Sequence, residues 1–244
     1  MRKILALTAA IGAAFAMSNA NAIVFVVDNF DGPDMFVADT TINGVGVSVG
    51  PVGPVNPPAN TLSRTVTHDF IAGANAGGTQ SNVTVGSQTF PAGALTVANS
   101  ANRDSQVTIA WTIPAGFIPN SASGPASLAF DLLFSDLGVN FKLFYNGVLF
   151  SSQAFPAYDG VSGPPDVPGG PLGPLAVNFA LTAAQQNTIS AGAGTQELKL
   201  VIDGPAAWDL TLDSFGLRIP EPATLALVGL ALAGAGVASR RRKA

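Results

Sequence analysis

The 244-residue chain contains no cysteine and a single histidine, His68. The lack of cysteine excludes disulfide bonds, so the folded part must be stabilised by burial and backbone pairing, helped at most by a bound ion. Metal sites built from histidine and cysteine are excluded by the same counts. Lysine and glutamate are scarce, whereas glycine (27 residues) and proline (18) are abundant. This balance favours an all-β fold with many loops.

Positive charge is also scarce in most of the chain. Residues 23–219 hold five basic and 14 acidic residues, a net charge of −9, although the whole chain carries only −4. The other basic residues lie at the two ends. Because an acidic body repels phosphate backbones, the composition argues against nucleic-acid binding.

The N-terminal segment has the pattern of a secretory signal peptide. Two basic residues precede the apolar run 4–17, and Ala20 and Ala22 fit the small-x-small rule of signal peptidase. A retained anchor is the alternative, but about 14 apolar residues are too few for a membrane span. We therefore predict a signal peptide over residues 1–22, removed by signal peptidase, and a mature chain that begins at Ile23.

The C-terminal segment combines an uncharged run with a basic end. Residues 223–239 carry no charge and would form a helix of roughly 25 Å, at the short end of what spans a bilayer. A buried core helix is the alternative, but the glycines weaken a helix in water and a basic terminus has no role in a core. We predict a transmembrane segment at 223–239. The basic residues that would stop it at the cytoplasmic face are Arg240, Arg241, Arg242 and Lys243.

This arrangement resembles the PEP-CTERM sorting signal of exported bacterial proteins. Pro220, Glu221 and Pro222 precede the apolar run and the basic end, in the order and place of that signal. The resemblance implies an inner-membrane precursor in a Gram-negative cell that makes exopolysaccharide. It also implies recognition by a membrane protease called exosortase, processing near Pro-Glu-Pro within 220–244, and release or attachment at the cell surface. The prolines keep this stretch extended, so a protease can bind it as a strand.

The body, residues 23–219, is long enough for one domain with its own core. Its segments alternate apolar and polar residues; "SQVTIAWTI" at 105–113, for example, places Trp111 on an apolar face. Asn146-Gly147 between two apolar runs predicts a type I′ hairpin. About ten such strands predict an antiparallel β-sandwich, jelly-roll-like in topology. Residues 181–192 are the one helical candidate in the body, with Thr182 as its cap.

Residues 46–50, "GVSVG", match the G-x-S-x-G pattern of a serine hydrolase around Ser48. That motif requires a helix after the serine and an acid before the histidine. Here "PVGPVNPP" follows, and no acidic residue separates Ser48 from His68. We therefore expect no enzyme, and we expect His68 to be a surface or half-buried residue.

Aspartate is the abundant acidic residue of the body and suits calcium, which takes oxygen ligands. Asp28 and Asp31 follow the first mature strand, and Asp209 and Asp213 lie near the last. If these two strands are neighbours, the four carboxylates form a candidate calcium site. The alternative is that these residues serve turns and Asx caps, and no D-x-D-x-D-G loop is present.

Carbohydrate sites often combine exposed aromatic rings with polar side chains. Trp208 and Tyr158 lie beside Gly/Pro turns and are the candidate sugar-binding rings. Two functions therefore stay open from the sequence. The first is a structural or adhesive protein of the cell surface, matrix or biofilm, and the second is a carbohydrate-binding module that recognises exopolysaccharide.

Overall fold

The computed structural model describes residues 21–55, 62–73, 81–87, 89, 91–121, 124–158 and 174–220. Most of the predicted signal peptide, Ala20 included, lies outside these ranges. Glu221, Pro222, the predicted transmembrane segment 223–239 and the basic residues 240–243 lie outside them as well. Within the described ranges no helix has the length and apolar character that a membrane crossing needs.

The described residues form strands and a single helix. In chain order these are β1 (Asn21–Asp28), β2 (Met35–Ala38), β3 (Val47–Val52), β4 (Ser63–Gly73), β5 (Asn82–Gly86), β6 (Ala94–Ala98), β7 (Arg103–Ile113), β8 (Ser127–Ser135), β9 (Val139–Tyr145), β10 (Val148–Phe155), β11 (Leu175–Ala180), α1 (Ala183–Ser190), β12 (Gln196–Asp203) and β13 (Leu210–Pro220).

The strands build two antiparallel sheets. The first has the order β11-β8-β13-β6-β5-β2, and β1 also pairs with β13. The second has the order β10-β9-β12-β7-β4-β3. Since β8 occupies one edge of β13, β6 and β1 share the other edge, β6 along 210–212 and β1 along 215–220. The predicted antiparallel β-sandwich is confirmed, and the first and last strands are neighbours.

The core lies between the two sheets and follows the alternation of the strands. On β7, Val107, Ile109 and Trp111 are all fully buried, as the alternation predicted. The Trp111 ring stacks on Phe215 of β13, with centroids 4.6 Å apart. This contact joins the centre of one sheet to the centre of the other, and stacking of this kind adds to the burial of both rings.

Local turn signals are also confirmed. Asn146 and Gly147 have φ values of 46° and 78° and connect the paired residues Tyr145 and Val148, as a type I′ hairpin requires. The helix α1 begins after Thr182, whose hydroxyl accepts a hydrogen bond from the Gln185 amide. The capping box at this position is complete.

Candidate functional site

The ladder between β1 and β13 brings the two chain ends together. β13 carries the chain to Pro220, the first residue of the Pro-Glu-Pro motif. Paired residues in an antiparallel ladder lie about 4.5–5.5 Å apart between their Cα atoms. The register pairs Asn21 with Pro220, Ala22 with Ile219 and Ile23 with Arg218. The predicted cleavage point between Ala22 and Ile23 therefore lies beside Ile219 and Arg218, next to the first residue of the motif, Pro220.

On its other edge, β13 pairs with β8, and this pairing stops two residues before Pro220. Pairing with β8 stops where Arg218 faces Ser127. The Arg218 guanidinium donates a hydrogen bond of 2.7 Å to the carboxylate of Asp131 on β8, which fixes this end of the strand to its neighbour. Ile219 and Pro220 consequently have β1 as their one ladder partner among the described residues.

The opposite end of β1 is fixed by a buried ion pair. Arg64 of β4 donates from Nη1 to both carboxylate oxygens of Asp28 at 2.7 Å, and both side chains are fully buried. The indole Nε1 of Trp111 donates to Oδ2 at 2.8 Å, and the Phe30 amide donates to Oδ1 at 2.9 Å. These contacts tie β1 of the first sheet to β4 and β7 of the second.

Asp28 is therefore an internal hydrogen-bond acceptor rather than a free metal ligand. Burial raises the pKa of Asp28, and the positive charge of Arg64 and the hydrogen bond from Trp111 oppose that effect. A calcium ion at this carboxylate would have to displace a guanidinium and an indole that already use its oxygens. The sequence missed this role because the partners lie 36 and 83 positions away along the chain.

The other predicted calcium ligands do not converge on one point. Asp209 and Asp213 are four positions apart on nearly continuous extended chain, roughly 13 Å. An oxygen of Asp209 accepts a 2.7 Å hydrogen bond from the Asn99 amide. Burial raises the pKa of Asp213, and the carboxylates of Asp131 and Asp31 act in the same direction. In the described part of the chain no group of three or more histidine, cysteine or acidic residues is placed to hold a metal.

The two candidate sugar-binding rings are buried, so neither offers the exposed ring that such a site needs. Trp208 is fully buried, and its Nε1 donates to the carbonyl of Ser105 at 3.1 Å. The indole packs against Gly204, where a Cβ would lie 2.7 Å from the ring. Tyr158 is 3% exposed, and its backbone pairs with Ser135 in both directions. The turns next to these residues direct the rings into the core.

His68 is fully buried, which corrects the prediction of a surface or half-buried residue. It lies on the face of β4 that also buries Arg64, Val66 and Phe70. The Asp39 amide donates to His68 Nδ1 at 3.0 Å, so the ring proton is assigned to Nε2. Burial lowers the pKa of His68; the Asp39 carboxylate opposes this and Arg103 reinforces it.

Ser48 lies inside β3 and not at a turn from strand to helix. Its hydroxyl is 2.7 Å from the hydroxyl of Thr67 on β4, and the strand continues to Val52. The local geometry therefore lacks the sharp turn that makes a G-x-S-x-G serine a nucleophile.

A shallow cleft that the sequence did not indicate lies at the β2 edge of the first sheet. Asp34, Met35, Phe36 and Thr84 line it. Phe36 is 59% exposed. Asp34 accepts hydrogen bonds from the amide and hydroxyl of Ser87 at 2.8 and 2.6 Å, and these lower its pKa. Phe36 points outward because residues alternate between the two faces along β2, "MFVA". A strand of four residues is too short for this alternation to be recognised in the sequence.

The junction between the body and the tail matches a known motif. Residues 218–243 match the family described as the PEP-CTERM protein-sorting motif. This confirms the resemblance drawn from the sequence and indicates an exported protein that exosortase processes. The match begins at Arg218, inside β13. Comparison with curated proteins finds no match for the sequence.

Distant similarity to solved carbohydrate-binding modules is also found. A CBM36 module in complex with calcium and xylotriose has a TM-score of 0.31 and 14% identity over 52% of this chain and 82% of that chain. The CBM36-1 domain of a multidomain xylanase from the hindgut metagenome of Trinervitermes trinervoides has a TM-score of 0.32 and 11% identity over 78% and 98%. A family 35 module from Clostridium thermocellum has a TM-score of 0.29 and 11% identity over 49% and 79%. Similarity at this level supports no conclusion about a ligand.

The buried ion pair generates a stability prediction. Arg64→Met should lower the free energy of unfolding by about 3–5 kcal/mol, because it leaves the Asp28 carboxylate buried without its cation. Urea unfolding followed by tryptophan fluorescence measures the loss. The control is Arg218→Met, because the pair of Arg218 and Asp131 is partly exposed, 10% and 23%. That change should cost about 1 kcal/mol. Equal losses in the two variants would contradict the role given to Asp28 and Arg64.

Buried His68 predicts a pH dependence of stability. Because its folded pKa lies below the ordinary value of 6.5, the stability it contributes is complete above pH 6.5 and is lost as the pH falls through the folded value. His68→Asn keeps an acceptor for the Asp39 amide and does not titrate. The difference in unfolding free energy between this variant and the wild type should therefore change between pH 7 and 5. A pH-independent difference would show that His68 is not held neutral.

Proposed function

We propose that the protein is an exported, non-catalytic component of the cell surface or extracellular matrix, whose C-terminal tail directs exosortase-type sorting. The observation that carries this proposal is the match of residues 218–243 to the PEP-CTERM sorting motif. Signal peptidase removes residues 1–22, and the apolar segment 223–239 holds the precursor in the inner membrane. An exosortase-like protease of a Gram-negative cell then processes the chain near Pro220.

The folded body supports the assignment of the sorting role to the tail and of the surface role to the body. The last strand, β13, ends at Pro220, so the sorting motif begins where this strand ends. The basic residues 240–243 would hold the far end of the tail in the cytoplasm while the body stays outside. The acidic, cysteine-free body then acts at the surface through its loops and sheet faces, in contact with matrix exopolysaccharide.

Deletion of residues 220–244 tests the sorting role. The shortened protein should leave the membrane fraction and accumulate in the periplasm or medium, because it lacks both the anchor and the motif. Fractionation and immunoblotting measure the distribution. The full-length protein is the control, and mass spectrometry should place its mature C-terminus near Pro220–Pro222 rather than at Ala244. Retention of the deleted form in the membrane at wild-type levels would refute this function.

Carbohydrate binding is the second candidate, and the cleft at β2 favours it. Phe36 offers an exposed ring next to the ionised Asp34, the combination that sugar sites use. This site replaces the buried Trp208 and Tyr158 of the sequence prediction. The ligand would be an exopolysaccharide of the matrix.

Phe36→Ala tests this second function on a glycan array. If the cleft binds sugar, the variant should lose at least about fivefold in affinity, taking the roughly 1–3 kcal/mol that a nucleobase gains by stacking on an aromatic ring as the guide for a sugar ring. Phe134→Ala is the matched control, because Phe134 is also an exposed phenylalanine, 37%, on the same sheet. Absence of glycan binding by the wild type, together with a defect in biofilm formation on gene deletion, would favour the structural role alone.

A further inference from the structure

The end of β13 is paired to residues that export removes. Ile219 and Pro220 face Ala22 and Asn21, and β8 no longer reaches them. Both partners belong to the predicted signal peptide, which ends at Ala22. Before signal-peptide cleavage, the first residue of the sorting motif is therefore part of a β-ladder. After cleavage the mature chain begins at Ile23, and the ladder ends where Ile23 faces Arg218.

The ladder is already weak at this end. A register shift lies between Ile23 and Phe25, so residues 21–23 are separated from the rest of β1 by an irregularity. On the β13 side, Arg218 stays fixed by its contact with Asp131 and by its pairing with Ser127. Ile219 keeps its side chain packed against the core. Loss of residues 21 and 22 would thus free the edge of 219–220 that β1 holds, in addition to the edge that β8 already leaves unpaired, without releasing the strand from the body.

A freed edge of this kind is a docking surface for a protease. Proteins commonly bind extended peptides by adding them as a strand, with main-chain hydrogen bonds. The Pro-Glu-Pro residues supply few backbone donors, because proline has none. The residues just before the motif must therefore provide much of the main-chain pairing.

We infer that signal-peptide cleavage uncovers Ile219–Pro220 as the strand on which the sorting protease docks. Signal-peptide removal and C-terminal processing are thereby ordered in time. This inference rests on the proposed sorting function. The occupant of the freed edge is a membrane protease that binds extended chain, and the leader residues Asn21 and Ala22 occupy that edge until they are removed.

Two substitutions at one position test the order of processing. Ala22→Leu puts a bulky residue at the predicted cleavage site, so cleavage either moves to Ala20, where Ser18 and Ala20 also fit the small-x-small rule, or stops. In both cases residues 21 and 22 remain and keep the ladder. Ala22→Pro retains the same two residues but lacks a backbone donor and distorts the strand. The full chain is expressed in a host that carries exosortase, and mass spectrometry identifies both termini.

C-terminal processing of the Ala22→Leu protein should be slower than that of the wild type by roughly fivefold to tenfold, the effect of about one net hydrogen bond. The Ala22→Pro protein should be processed close to the wild-type rate. Hydrogen exchange at the Ile219 amide should be slower in the Leu variant than in the mature wild type.

Equal processing rates for the Leu variant and the wild type would overturn the inference, and so would an equal delay in the Leu and Pro variants. Either result leaves the sorting function intact. Absence of C-terminal processing in the wild type as well would instead refute the proposed function, and the inference with it.

Discussion

The position of the first strand depends on one buried carboxylate. A buried aspartate is costly unless its charge and lone pairs are satisfied, and Asp28 is satisfied by Arg64, Trp111 and the Phe30 amide together. A slip of β1 by one residue would turn Asp28 to the other face and break all of these contacts. The ion pair therefore fixes the Asp28 end of β1, where Asp28 faces Phe215 of β13.

The absence of cysteine makes this kind of closure important. A small exported domain without disulfides has to hold its ends by pairing and packing. Here the first strand pairs with the last, and Trp111 stacks on Phe215 behind that ladder. The contact between the sheets and the closure of the chain ends thus lie in one region of the molecule. Weakening the core at this point would also loosen the strand that leads to the tail.

Sequence patterns predicted the features that depend on nearby residues. Alternation gave the buried face of β7, Asn146-Gly147 gave the hairpin, and the order of Pro-Glu-Pro, apolar run and basic end gave the sorting motif. Features that depend on distant partners were missed. Asp28 was predicted as a calcium ligand because Arg64 cannot be chosen as its partner from spacing alone. His68 differs, because its burial follows from a local pattern: alternate residues of β4 face the core whatever their polarity.

Antiparallel closure has a consequence for the proposed processing at both ends of the chain. The start of β1 and the end of β13 must lie at the same end of the sandwich, because paired strands run in opposite directions. Signal peptidase and the sorting protease both act at the membrane. In the proposed pathway the body would therefore meet both proteases with the same end towards the bilayer, without rotating between the two cleavages. A parallel arrangement of the same strands would put the sites at opposite ends, separated by the length of β13. Eleven residues of strand correspond to roughly 36 Å. At that distance the two sites could not lie opposite each other in one ladder.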